Sequence, residues 1–400
     1  MRHTALGADT IAAPVRFPAS SGRALLLEVL AVCTGSPSGE PRRLRELVTA
    51  AGPRAGMKQW HRALLAAAEI IAHLRLGDAV PSGLVEALER EQGEDGGFCL
   101  MPATTAIAYT ALSGTGRDRS SVRRCREYLR RGQNHDGTWR YLSFDIWDTT
   151  LMVRSLRGVP AFDEHLLRPA LDFVVRTQSL DGGWACKQGI ESDNDTTSSA
   201  LLALAGTARA RRVLPAATRY LRRAQRPDGL WTTWQSVDDI PSTDVTAHVV
   251  SAVTAHPSAA VDVSRAAEWL LAQYEESAGW SAQWYPNAAY AVAEIGEAVG
   301  WAHRASRTAA RGLLDRQRPD GGWPLDPGGW WSDHAATGLA LTACLRSGVR
   351  PHPPHSTTLW PSSCGSRRPT APGAGHQPWR GPARSSTTCP CTPMPSRLRG

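Results

Sequence analysis

Four stretches, at 149–156, 166–176, 197–205 and 335–345, place apolar residues three and four positions apart. That is the period of a helix with one buried face, not the alternation of a strand. Short glycine-bearing turns separate such stretches, and the turns repeat. A glutamine is followed by an aromatic residue at Gln92/Phe98, Gln133/Trp139, Gln178/Trp184, Gln225/Trp231, Gln273/Trp280 and Gln317/Trp323. The glutamines step along the chain by 41, 45, 47, 48 and 44 residues, a spacing that predicts a helical repeat array. Each unit reads as two helices joined through a turn in which Asp-Gly supplies the left-handed backbone. The fifth copy is one residue longer and lacks Asp-Gly. The glutamine is expected to bond backbone at a helix end while the indole packs on its neighbour. The pattern alone fits a non-catalytic helical-repeat binding scaffold as well as an enzyme.

Composition narrows this picture. The chain has 400 residues, 42% of them hydrophobic, enough for two ordinary domains with real cores. No apolar run reaches 18 residues and no signal peptide is read at the N-terminus. Eight scattered cysteines, without metal-ligand spacing in the body of the chain, are read as reduced thiols in a cytoplasmic protein. The net charge of +8 invites a nucleic-acid reading, but its distribution argues against one. Residues 351–400 hold six arginines and no acid, and removing those six leaves +2. From 351 the text turns Pro-, Ser-, Arg- and Thr-rich in mid-pattern. This irregular tail is read as the product of a reading-frame change that replaced a last repeat; resequencing the locus tests it.

The chemistry concentrates in three segments. Residues 144–151 read FDIWDTTL, 193–197 read Asp193-Asn194-Asp195-Thr196-Thr197, and 241–248 read PSTDVTAH. Together with the glutamine–tryptophan turns over roughly 90–346, they resemble the squalene–hopene cyclases and related class II terpene cyclases. The fold this implies is all-α, with helix pairs curved into α/α barrels of βγ type. Residues 1–140 would form a shortened second barrel and 141–350 the catalytic one. The activity implied is cyclisation started by protonating an alkene. An alkene is a very weak base, so the acid must be strong yet protonated at rest, as a desolvated carboxyl among other carboxylates is.

The resemblance assigns that acid to Asp195, with Asp193 as its supporting neighbour and His248 bonded to it. Thr196 and Thr197 complete the motif, and Asp244 supports His248. The family's second adjacent aspartate is Thr196 here, which is similar to the variant in drimenyl diphosphate synthases. How acidity is then tuned is not legible. Capping is the bland alternative for Asp193 to Thr197 and for Asp244, because Asp and Thr are good N-caps. Asp148 stands between capping a helix and lining the cavity.

Aromatic faces stabilise cations by about 0.5–2 kcal/mol each. Trp147, Trp280, Trp284, Tyr285, Tyr290, Trp330 and Trp331 are candidates for the cavity wall, though packing alone explains any one of them. The substrate expected is a linear prenyl diphosphate: first farnesyl diphosphate giving a drimane-type bicycle, then geranylgeranyl diphosphate giving a labdane-type bicycle, then squalene. Diphosphate implies Mg²⁺ and basic residues, for which Arg54, Lys58, Arg140 and Lys187 stand unranked. No metal ligands are assigned and no organic cofactor is expected. Peripheral membrane contact and a downstream phosphatase are compatible with such a substrate. The rival enzyme, a protein prenyltransferase β subunit, needs a zinc site; Asp333, His334 and Cys344 are present without its Asp-x-Cys spacing.

Overall fold

The computed structural model describes residues 21–116, 119–140, 144–233, 240–276, 279–285, 287–326 and 328–353. The irregular tail beyond 353 and the first twenty residues lie outside them. Among the described residues the chain forms sixteen helices and no strand beyond three isolated bridges. None of these helices is long and apolar enough to cross a membrane.

Six helices make up the first part: α1 (Ser21–Thr34), α2 (Pro41–Ala50), α3 (Gln59–Leu76), α4 (Ser82–Arg90), α5 (Pro102–Gly114) and α6 (Ser120–Gly132). α1, α2, α4 and α5 pack around α3, whose long alanine- and leucine-rich face is buried, and α6 packs on α5. This part has its own hydrophobic cluster, running from Leu25 to Cys125.

The second part alternates inner and outer helices. The inner ones are α7 (Asp145–Leu156), α10 (Asn194–Leu204), α12 (Thr243–Thr254), α14 (Ala288–Val299) and α16 (His334–Arg346). The outer ones are α8 (Pro160–His165), α9 (Leu167–Arg176), α11 (Ala210–Ala224), α13 (Ser264–Glu276) and α15 (Arg304–Leu314). Each inner helix packs on the next, α7 on α10, α10 on α12, α12 on α14 and α14 on α16. The outer helices back them, and the arc is lined by a second hydrophobic cluster from Ile146 to Val349. The helix-pair barrel expected from the sequence is therefore present as an arc. Its two ends, α7 and α16, do not share an extended contact among the described residues.

The repeated turns explain the arrangement. In five of the six, the glutamine amide donates to a glycine carbonyl four residues on, at 2.9–3.1 Å. In four it also reaches a backbone carbonyl further along the chain: Val213 in and Asp262 just before the next outer helix, Ser121 in α6, and His352 after α16. The indole of Trp139, Trp184, Trp231, Trp280 and Trp323 donates in each case to the carbonyl ten residues earlier, at 2.7–2.9 Å. The turn thus ties the end of one outer helix to the start of the next. Glycine is required: Gly182 has φ +94°, and a Cβ there would meet Ala216 O at 2.4 Å.

The two parts meet at the loop before α10. Lys58 Nζ donates to Ser192 O at 2.8 Å, and the Gln59 amide at the start of α3 donates to Glu191 Oε2 at 2.6 Å. Glu191 so supplies negative charge to the N-terminus of α3, where it is favoured.

Candidate active site

Asp193, in the extended conformation, caps α10: Thr196 N donates to its Oδ1 at 2.6 Å and Thr196 Oγ1 to its Oδ2 at 2.9 Å. Thr197 Oγ1 donates to Asp193 O at 2.6 Å and accepts from Trp184 N at 2.9 Å. Capping is therefore what Asp193, Thr196 and Thr197 do locally, and it leaves Asp195 free in the first turn. Burial, with Asp195 nearby, lifts the Asp193 carboxyl to about 7 against the pull of the Thr196 amide.

Asp195 Oδ1 lies 2.5 Å from His248 Nδ1, and the other ring nitrogen, Nε2, lies 2.8 Å from Glu294 Oε2. Arg154 Nη2 donates to the same glutamate oxygen at 2.9 Å. His248 is 1% exposed while Asp195 keeps 14%, so the acid can be reached by a molecule and its partner cannot. Among the described residues, Asp195 Oδ2 has no hydrogen-bond partner. Burial raises the Asp195 carboxyl, and Asp244 and Glu294 add to that, while His248 opposes.

Helical spacing builds this cluster. Asp244 and His248 lie four apart on α12, Tyr290 and Glu294 four apart on α14, and Asp195 and Ser199 four apart on α10. Trp147, Thr150 and Arg154 follow three and four apart on α7. Residues so spaced share one face of a helix. Thr150 Oγ1 and Ser199 Oγ join two of these faces at 2.7 Å. Arg154 and Glu294 were not found by reading the motifs. The signal was available: a charge one or two helical turns beyond an aromatic already singled out, on the same face of its helix.

Asp244 is buried but its hydrogen bonds do not go to His248. It accepts from Ser242 Oγ, from its neighbour Val245 N and, at 2.9 Å, from Trp284 N. Its part is to fix the loop that carries the aromatics; Trp284 Nε1 continues to Thr233 Oγ1 at 2.9 Å. Nor does Asp244 supply the α12 cap that was its alternative reading, since it lies inside the helix.

The candidate aromatics divide. Trp147 stands 6.2 Å from the His248 ring and Tyr290 6.5 Å, edge-on; Tyr285 meets Tyr290 at 4.8 Å. Burial first, then Asp195, pushes the Tyr290 phenol well up, so it stays neutral. Trp280 is a turn tryptophan: it is buried and its N–H is committed to Leu270 O. Trp330 and Trp331 pair edge-on at 4.6 Å, 70% and 57% exposed, and neither contacts the acid cluster. Asp148 is exposed. A cavity of about 540 Å³ lies at the degenerate fifth turn, lined by Trp269, Trp280 and Trp323, and Asp195 is not among its walls.

Of the basic candidates, Arg54 is paired with Glu69 and Lys58 is buried against Ser192 O. Arg140 is exposed and Lys187 half-buried. Asp333 caps α16 through Ala336 N at 2.8 Å, and Cys344 is buried.

Comparison with known proteins agrees with the motif resemblance. Residues 102–236 match the squalene-hopene cyclase C-terminal domain. The drimenyl diphosphate synthase of Streptantibioticus cattleyicolor is 29% identical over 351 residues, covering 78% of this chain and 63% of that protein. The drimenyl diphosphate synthase of Streptomyces showdoensis is 28% identical over 245 residues, 56% of this chain and 45% of that one. The chain thus spans less than two thirds of the length of these relatives. Among solved structures, ent-copalyl diphosphate synthase from Streptomyces platensis is 18% identical, covering 86% of this chain and 88% of its own, with a TM-score of 0.44.

Proposed function

We propose that this chain is a class II cyclase of a linear prenyl diphosphate, with farnesyl diphosphate as substrate and a drimane-type bicyclic diphosphate as product. The observation that carries the reading is the Asp195 carboxyl, bonded through one oxygen to His248 and with the other free. The names of the two curated relatives support the choice of substrate.

In this reading Asp195 gives its proton to the terminal alkene of the substrate. The cation so formed is attacked by the next double bond, and that cation by the one after, closing two carbon–carbon bonds. Loss of one proton restores an alkene, so the product is an isomer and the diphosphate is untouched. The imidazole of His248 orients Asp195 and stabilises the carboxylate that remains. Trp147, Tyr285 and Tyr290 present aromatic rings beside the acid, each worth about 0.5–2 kcal/mol to a passing cation. The described residues hold no cluster of three or more His, Cys, Asp or Glu able to cage a metal. Magnesium is proposed only as the counter-ion that the substrate brings on its own phosphate oxygens. A phosphatase would be the natural consumer of the product.

The test is incubation of purified protein and Mg²⁺ with farnesyl or geranylgeranyl diphosphate, then phosphatase and mass spectrometry, with Asp195→Asn in parallel. A bicyclic C15 alcohol absent from the variant is expected. A C20 product alone would move the reading to a labdane-type cyclase. A well-folded protein that yields neither would overturn it.

A further inference from the structure

We infer that Glu294, held by Arg154, is a positioning residue that keeps His248 doubly protonated and so leaves the transferable proton on Asp195. The inference rests on the proposed function for its catalytic consequence, but not for its charge arrangement.

Both nitrogens of the buried His248 ring face carboxyl oxygens, Nδ1 that of Asp195 at 2.5 Å and Nε2 that of Glu294 at 2.8 Å. A neutral imidazole has a single N–H, whereas the imidazolium donates from both nitrogens. With two acceptors in line, the doubly protonated ring satisfies both. The groups facing His248 are Asp195 of α10, Glu294 and Tyr290 of α14, Arg154 of α7 through Glu294, and Asp244 of its own helix. Glu294 is the carboxyl with a guanidinium against it, at 2.9 Å. It therefore carries the negative charge. Asp195 has only His248 for a partner and two carboxyls nearby, so it is the group that keeps a proton.

The directions of ionisation agree. Burial alone would push His248 down, but the carboxyls at its two nitrogens outweigh it and raise the ring above its ordinary value, and Glu294 is the one whose charge the Arg154 guanidinium secures. Burial alone would raise Glu294, but Arg154 and then His248 bring it well below the usual carboxylate range.

The arrangement answers how acidity is tuned where Thr196 replaces a second aspartate. Nδ1–H donates to Asp195 Oδ1, so the proton of the acid sits on the free Oδ2. When that proton leaves, an imidazolium already faces the new carboxylate. Without Glu294 the ring becomes neutral. Its Nδ1 lone pair then competes for the very proton the substrate needs.

The test is ¹⁵N NMR of the imidazole side chains across pH, with His248→Asn to assign the signal, in wild type, Glu294→Gln and Glu294→Asp. In wild type His248 is expected to keep both protons well above the ordinary histidine value of about 6.5. In Glu294→Gln it should titrate near or below the ordinary histidine value of about 6.5. Turnover of farnesyl diphosphate at pH 7.5 should fall about a hundredfold in kcat, with KM within about threefold, as for loss of a positioned acid–base group. Glu294→Asp, which keeps the charge, should retain both protons and most of the turnover. Glu294→Gln leaves Arg154 without its carboxylate, which destabilises. Glu294→Gln/Arg154→Met removes both charges and should show the same drop in His248 titration. A neutral His248 at pH 7 in wild type, or one still doubly protonated in both Gln variants, overturns the inference. If the NMR behaves as expected while wild type turns over no prenyl diphosphate, the proposed function fails and the charge arrangement stands.

Discussion

The turns before α10 and before α16 match almost bond for bond. Gln178 and Gln317 each donate to a glycine carbonyl at 2.9 Å and to a backbone carbonyl 35 residues on, Val213 O and His352 O, at 3.0 Å. Asp181 and Asp320 each accept from the amide two residues on and from a serine hydroxyl. Trp184 and Trp323 each take a threonine hydroxyl at the backbone amide, Thr197 and Thr337, and pair with the capping aspartate, Asp193 and Asp333. Two residues past the cap the copies part. One has Asp195, facing His248; the other has Ala335, exposed. The frame is a general device for starting an inner helix, and the chemistry is one side chain set on it. This is why capping and catalysis do not compete at residues 193–197: different aspartates do each.

The comparison can be broken most forcefully at that one position. Asp195→Asn should cost at least about a hundredfold in turnover, within the 10²–10⁴ range of a positioned acid, with helix content by circular dichroism unchanged. Ala335→Asp, at the equivalent place, should confer no activity on that variant, since no imidazole faces it. Next come the indoles. Trp184→Phe and Trp323→Phe each remove the indole donor from a carbonyl that keeps a second one, Thr177 Oγ1 at Val174 O and Arg316 N at Leu313 O, and each should lose about 0.5–1.5 kcal/mol in urea unfolding. Similar losses would mean that the frame is shared; a loss at Trp184 alone would mean that it is not.

After them come the caps. Asp193→Ala and Asp333→Ala should each cost about 1 kcal/mol. They differ in pH dependence. The Asp193 carboxyl is lifted from 3.8 to about 7, so the folded state binds its proton more tightly. Its contribution is full below about 4 and is lost as pH rises through 7, so wild-type stability should fall over that window and Asp193→Asn should flatten the slope. A slope unchanged in Asp193→Asn would remove Asp193 as its source. The smallest effect belongs to the exposed indoles past the second turn: Trp330→Ser should stay within about 0.5 kcal/mol and leave turnover unaltered.

Much of this was legible. The repeat spacing gives helix pairs and their turns, and the bond from His248 to Asp195 is what the family resemblance of the STDVTAH segment implies. The indole role was half read, since packing was expected and the donation to the carbonyl ten residues back was not. What stayed hidden depends on which way a side chain points across the arc. Trp280, Trp330 and Trp331 were assigned to the cavity because an aromatic in a turn looks the same whether it faces in, packs down or stands in solvent. Arg154 and Glu294 lie 140 residues apart and belong to helices that are not neighbours in the arc, so no local pattern pairs them. Only their spacing from Trp147 and Tyr290 pointed inward.

That pairing has a mechanical side. Among the described residues the arc of inner helices runs from α7 to α16 without an extended seam between those two. The bond from Arg154 on α7 to Glu294 on α14 spans the hollow like a spoke across a rim. Any widening of the rim must stretch the spoke, and the spoke ends on the group that charges His248. Calibre and acid strength are thereby geared together, and on warming the acid should be disarmed before the wheel comes apart.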